Sequence, residues 1–209
     1  MKTIILPRIE PLTASDESIA DIIKAQGVEA AIDCSPWEKD YPTQARATLH
    51  AAHDGKRLYF LFSCSTDEIR AENTAEQSAV SDDSCVEAFV QPVEGGEYFN
   101  LEVNCIGAIN ASHRMDRTHS TKLSSADLQQ IRRFAQDYKT SQQATSWQQL
   151  ISAPLSLMGL TYTPGMKLRA NFYACAARAR KPYFLCWNNI ENDKPDYHLP
   201  KFFGQIQLQ

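Results

Sequence analysis

The chain has 209 residues, 43% of them hydrophobic and 22% charged, with a formal net charge of −4 and a pI near 5.7. That length suits one domain, residues 1–209, with room for a substantial core. The acidic balance argues against nucleic acid or an anionic membrane as the main partner, and no stretch approaches a membrane span.

The opening MKTIILPRIEP carries too short an apolar block for a secretory leader and reads as a first strand. This favours a cytoplasmic chain; a periplasmic or cell-surface location would require a leader outside this sequence. Thr13-Ala14-Ser15-Asp16-Glu17 is a helix start, Ile19, Ile22 and Ile23 form an apolar stripe, and Gly27 is placed to end the helix. Residues 28–32 predict a short strand. Residues 46–52 and 58–64 bracket His53-Asp54-Gly55 as a hairpin. Leu58-Tyr59-Phe60-Leu61-Phe62 is apolar on both faces, which predicts a central strand. The polar stretch 68–80 reads as a long loop.

Residues 81–107 are the organising segment. Two strand-like runs, 85–92 and 98–106, flank a turn containing Gly95 and Gly96. Alternation puts Cys85, Glu87, Phe89 and Gln91 on one face of the first run, and Asn100, Glu102 and Asn104 on one face of the second. Carboxylates and amides in such a row can hold a hydroxyl-rich ligand, because each accepts or donates in a fixed direction. A solvated outer sheet face would carry the same pattern. Residues 109–117 continue outward with His113, Arg114 and Asp116, and 119–127 read as a loop. Leu128, Ile131 and Phe134 fit either a short helix or a helix turning into a strand. Residues 146–152, 168–174, 183–187 and 202–208 predict further strands. Many short strands and one N-terminal helix predict an all-β sandwich or jelly roll.

The six cysteines (34, 64, 85, 105, 175 and 186) lie mostly in apolar runs and form no CxxC pair, which predicts buried free thiols rather than disulfides or a metal knuckle.

Several fragments together carry a family likeness. They are Ser35-Pro36-Trp37 with Asp40-Tyr41-Pro42, Asp83-Ser84-Cys85-Val86-Glu87-Ala88-Phe89, and the run from Tyr98 to Gly107. Ala170-Asn171-Phe172-Tyr173, Trp187-Asn188, Pro195-Asp196-Tyr197-His198-Leu199-Pro200 and Phe203-Gly204 follow in the same order. The sequence resembles the carbohydrate-binding module family 9-like proteins of Bacteroidales, within the wider DOMON-like group. The resemblance implies a jelly-roll β-sandwich and non-catalytic carbohydrate binding through one concave sheet face, in polysaccharide or oligosaccharide utilisation. Known relatives are modules attached to xylanases that bind glucose- or xylose-based chain ends, often with calcium, so a glycoside hydrolase is a candidate partner. In those modules two tryptophans clamp the sugar. Here Ala79-Val80-Ser81 supplies no aromatic at the first position, and Trp187 is the candidate for the second.

The expected carbohydrate-binding residues are therefore Glu87, Glu102, Asn104, Arg114, Trp187 and Asn188. Asp82 and Asp83 are weak candidates for calcium. Two other chemistries stay open. Glu87 and Glu102 could serve as a glycosidase pair, and Met115, His113 and His198 could ligate haem, as in some DOMON-like relatives. No GxSxG, HExxH, phosphate-loop or Rossmann signature is present.

Overall fold

The computed structural model describes residues 1–92, 94–140 and 145–209. Within them two sheets pack face to face as a β-sandwich. The larger runs in the order β1 (Thr3–Leu6), β13 (Gly204–Leu208), β11 (Lys167–Ala176), β5 (Cys85–Gln91), β6 (Tyr98–Asn104), β7 (Ile109–Arg114) and β8 (Ser120–Lys122), with β12 (Tyr183–Cys186) also pairing to β11. The smaller runs β2 (Val28–Ile32), β3 (Arg46–His53), β4 (Arg57–Thr66), β10 (Thr145–Pro154) and β9 (Arg132–Thr140). No described helix is long and apolar enough to cross a membrane.

The predicted hairpin at 85–106 forms as β5 paired antiparallel with β6, turning through Gly95 at φ +79°. Its alternation sorts the two faces as the sequence predicts. Val86, Ala88, Val90, Leu101 and Val103 point into the core between the sheets, where they meet Leu49, Phe60 and Phe62 of the smaller sheet. β4 lies between β3 and β10 and is apolar on both faces for a visible reason. Phe60 and Phe62 face the sandwich core, while Tyr59 and Leu61 face a second layer formed by α1 (Asp16–Gln26). The helix begins at Ser15, whose hydroxyl accepts from the Ser18 amide, and buries Ile19, Ala20 and Ile23.

The ambiguous stretch around Leu128 is both alternatives in succession. α2 (Ser125–Leu128) is closed by a Ser124–Asp127 capping box, and Phe134 lies on β9. The loop expected at 119–127 contains the edge strand β8, whose three residues are all exposed and so give no hydrophobic signal.

Trp187 is the main correction to the sequence reading. It sits just beyond β12, 2% exposed, with its ring 5.5 Å from that of Phe172 in the inter-sheet core. A Cβ added at Gly204 would come within 2.4 Å of Trp187 Cζ3, so the glycine exists to admit this ring. The tryptophan therefore supports the fold and cannot clamp a ligand. Trp187→Ala should cost about 3–5 kcal/mol of stability, read as a lower urea midpoint with an unchanged slope.

Candidate carbohydrate-binding cleft

The face of the larger sheet that points away from the sandwich core is neither bare nor wet. Residues 34–42 and 190–203 fold across it as a roof. Trp37, Ile190, Tyr197 and Phe203 pack there on Cys85, Phe89, Tyr98, Tyr173 and Cys175. Trp37 Nε1 donates to the Asn192 carbonyl at 2.7 Å, which ties the two roof segments together. Tyr197 stacks on Tyr173 with centroids 4.0 Å apart. Where the roof stops, a cleft of about 540 Å³ remains over β5, β6 and β7.

Strand register builds the floor. Tyr173, Glu87, Glu102 and Asn110 are successive cross-strand partners on β11, β5, β6 and β7. Glu87 and Glu102 thus stand directly opposite each other, 2% and 4% exposed, with their tips at the cleft. Asn100 Nδ2 donates to Glu102 Oε1 at 2.8 Å and Asn110 Nδ2 to Glu102 Oε2 at 3.0 Å. Arg114 Nε donates to Asn100 Oδ1 at 2.8 Å. The result is a directional chain from the guanidinium through the amide to the carboxylate. Among the described residues no amide or guanidinium donates to Glu87, whose Oε1 accepts from the Cys175 thiol at 3.4 Å.

Burial raises both carboxyls above their usual range. Glu87 is pushed well up by burial first, then by Cys175 and Glu102. For Glu102 the amide donors of Asn110 and Asn100 and the charge of Arg114 oppose burial. Glu102 is accordingly the member whose charge the site supports, whereas the burial of Glu87 is met by fewer donors.

The rim was not legible from alternation. Half-buried Tyr41 and Phe184 meet edge to face at 5.0 Å, and Arg117 pairs with Asp196 at 3.1 Å. Ala79 and Ser81 line a wall of the same cleft, so the position without an aromatic in the sequence is indeed a wall of small side chains. Asn110 did carry a signal, because Asn110, Ser112 and Arg114 alternate on β7. Tyr41 and Phe184 had none beyond Tyr41's place in the quoted Asp-Tyr-Pro fragment.

Of the expected site residues, Glu87, Glu102 and Arg114 converge on the cleft. Asn104 and Asn188 do not. Asn104 is fully buried and spends its amide on the Asn73 carbonyl and Asp83, and its oxygen on the amides of Ile106 and Ala108. Asn188 bridges Lys2 N and the Phe202 carbonyl, with its backbone N–H donating to Asn171 Oδ1.

The calcium candidates do not fit an ion. Asp83 is 0% exposed, paired with Arg70, and accepts from the amides of Glu72 and Asn73 and from Asn104 Nδ2. Burial opposes its charge, but those donors outweigh it and hold the carboxyl below its usual range. Asp82 pairs with Arg178. The haem candidates are also dispersed. His113 stacks on Phe99, which packs against the inter-sheet core, whereas His198 lies on the roofed face beside Phe89, and Met115 is exposed.

His198 also borders the cleft, with Nδ1 3.0 Å from Tyr98 Oη. Burial, reinforced by Arg114 and opposed by Asp196, lowers its pKa to about 4. A histidine held neutral in the fold gives stability that is complete above the unfolded value near 6.5 and is lost as pH falls from there towards 4. Urea unfolding across that window should show an acid-side loss of about 2 kcal/mol that is absent in His198→Gln.

Comparison with known proteins agrees with this architecture. A crystal structure of a candidate carbohydrate-binding protein from Bacteroides uniformis superposes with a TM-score of 0.89 at 24% identity, covering 100% of this chain and 99% of that one. A family 9 carbohydrate-binding module from Caldicellulosiruptor kristjanssonii in complex with glucose gives 0.65 at 15% identity, covering 100% and 96%. A family 9 module from the same organism in complex with cellotriose gives 0.66 at 14%, covering 100% and 94%. At these identities the likeness establishes a shared fold. No curated protein sequence is similar enough to count as a match. The family description for carbohydrate-binding family 9 matches residues 17–208, nearly the whole length. With its two-sheet sandwich and its roofed face, this chain belongs to carbohydrate-binding family 9.

Proposed function

We propose that the cleft over β5, β6 and β7 holds the end of a glucose-based saccharide without cleaving it. The observation that carries this reading is the Arg114–Asn100–Glu102–Asn110 chain. It fixes donors and an acceptor side by side on rigid strands, as neighbouring sugar hydroxyls require. The Glu87 carboxyl stands beside the Glu102 acceptor at the same cleft. Tyr41 and Phe184 offer apolar ring surface at the rim for the C–H face of a pyranose. The glucose and cellotriose complexes of the Caldicellulosiruptor modules support a glucose-type ligand.

The hydrolytic alternative is weaker on geometry. Both carboxyls rise from one floor, on directly opposed residues of adjacent strands. Opposed strands can supply the roughly 5–5.5 Å that a retaining pair needs, but Asn100 and Asn110 already occupy both oxygens of Glu102. A separate glycoside hydrolase, acting on the chain this protein holds, is the partner chemistry that fits a non-catalytic role.

Calorimetric titration with glucose, cellotriose and xylotriose tests the assignment. Arg114→Ala and Tyr41→Ala should each weaken the preferred sugar at least tenfold, about 1.4 kcal/mol, with the thermal midpoint little changed. Binding retained at parental affinity in both variants would move the site elsewhere. Release of reducing sugar by the parent protein, lost in Glu102→Gln, would replace binding by catalysis.

A further inference from the structure

Beneath the saccharide cleft lies a donor set whose two thiols carbohydrate binding does not use. Cys85 on β5 and Cys175 on β11 are direct cross-strand partners. Glu87 follows Cys85 by two residues on the same face. The two thiol sulfurs and a Glu87 carboxylate oxygen all lie within 4.8 Å of one another. We propose that this Cys85–Cys175–Glu87 cluster is a zinc site whose fourth position opens to the cleft.

Geometry is the first argument. A tetrahedral zinc ion with Zn–S near 2.3 Å and Zn–O near 2.1 Å spaces its donors about 3.5–3.8 Å apart. Cys175 Sγ and Glu87 Oε1 are already 3.4 Å apart, and no pair in the cluster exceeds 4.8 Å. Closing the set around an ion therefore needs side-chain rotations of about 1 Å or less, with no backbone movement. The donors stand on β5 and β11, each paired on both sides, so the triangle is held before any ion arrives.

Chemistry is the second. Two thiolates and one carboxylate select a borderline-soft ion such as zinc over calcium or magnesium, which take oxygen. Once their protons leave to solvent, the two thiolates alone balance the charge of the ion, and the Glu87 carboxylate adds an oxygen donor. Coordination would also place a cation where Glu87 faces Glu102. Among the described residues no lysine or arginine is seen bonded to Glu87.

Access is the third. Cys85 is fully buried, but Cys175 and Glu87 line the cleft, so an ion can enter from solvent and keep one coordination position facing it. Three protein donors with an open fourth place is the pattern of an accessible zinc site rather than a closed structural one.

The test uses the reduced full chain without sugar. Zinc titration followed by calorimetry, with Co²⁺ substitution followed by absorption, should give one bound ion per chain. Co²⁺ should show thiolate charge-transfer and intense four-coordinate visible bands. Cys175→Ser and Cys85→Ser should each weaken zinc at least tenfold and lose the charge-transfer intensity of one thiolate. Cys34→Ser is the control, since Cys34 and Cys186 form the other cross-strand cysteine pair. It should leave binding unchanged. If a serine variant fails to fold by circular dichroism, Glu87→Gln keeps both thiols and should still weaken zinc at least tenfold. Absence of stoichiometric zinc binding, persistence of the thiolate bands in the Cys85 and Cys175 variants, or their loss in Cys34→Ser would overturn the assignment.

Discussion

Two carboxyl groups facing each other across β5 and β6, under a roof that removes most of their water, set the terms for the rest of this face. Burying one unpaired carboxylate is costly, and burying two side by side is worse. The fold resolves this unequally. Glu102 receives two amide donors, from Asn100 and Asn110, and Arg114 stands behind Asn100. Glu87 receives no comparable support, and burial raises its carboxyl well above the usual range. The asymmetry leaves one carboxyl anchored by two amide donors beside one that is not. It also explains why β6 and β7 carry asparagines where a sheet face would otherwise take threonine or valine.

That row works only if the strands beneath it cannot shift, and a second polar hub secures them. Asp83 and Asn104 knit the loop 70–84 to the end of β6 through Arg70, three amide donors and the Asn73 carbonyl. Asn104 then closes the turn into β7 through Ile106 and Ala108, beside Gly107 at φ +88°. Breaking a buried pair of this kind by removing one partner costs about 3–5 kcal/mol. An arginine and an amide here take the place a cation could fill elsewhere. The loop that forms the Ala79–Ser81 wall of the cleft is thereby tied to the end of β6 by this ion pair and its hydrogen bonds.

The sequence revealed the sandwich because period-two alternation is a direct consequence of burying one sheet face. Both faces of β5 and β6 were sorted correctly, and the two-sided apolarity of Leu58–Phe62 correctly placed β4 in the middle of its sheet. Alternation does not say what covers the opposite face. The roof of residues 34–42 and 190–203 is irregular backbone, held by Trp37, Tyr197 and Phe203 rather than by any repeat. Without it, Asn104 looked like a ligand contact when it is a turn clamp. Trp187 misled for a related reason. The polar Asn188 and Asn189 after it give no hint of burial, because they belong to the chain crossing from β12 into the roof. The ring itself turns inward against Phe172.

The position of the aromatic side chains constrains how any sugar is recognised. A sandwich clamp needs two rings presenting parallel faces across a gap. Tyr41 and Phe184 instead meet at 81° and pack on each other, and Ala79 and Ser81 contribute no ring to their wall. Stacking can therefore act on one side of a ligand only, and apolar contact supplies less of the free energy than a two-ring clamp would. Discrimination must then come from the floor, where each buried polar group is already committed to a partner on one side. A ligand lacking the hydroxyl that completes Arg114 or Glu102 would bury that group unsatisfied, at a cost of about 1–3 kcal/mol. The same rigidity that allows two carboxyls to be buried together makes the cleft intolerant of a misplaced hydroxyl.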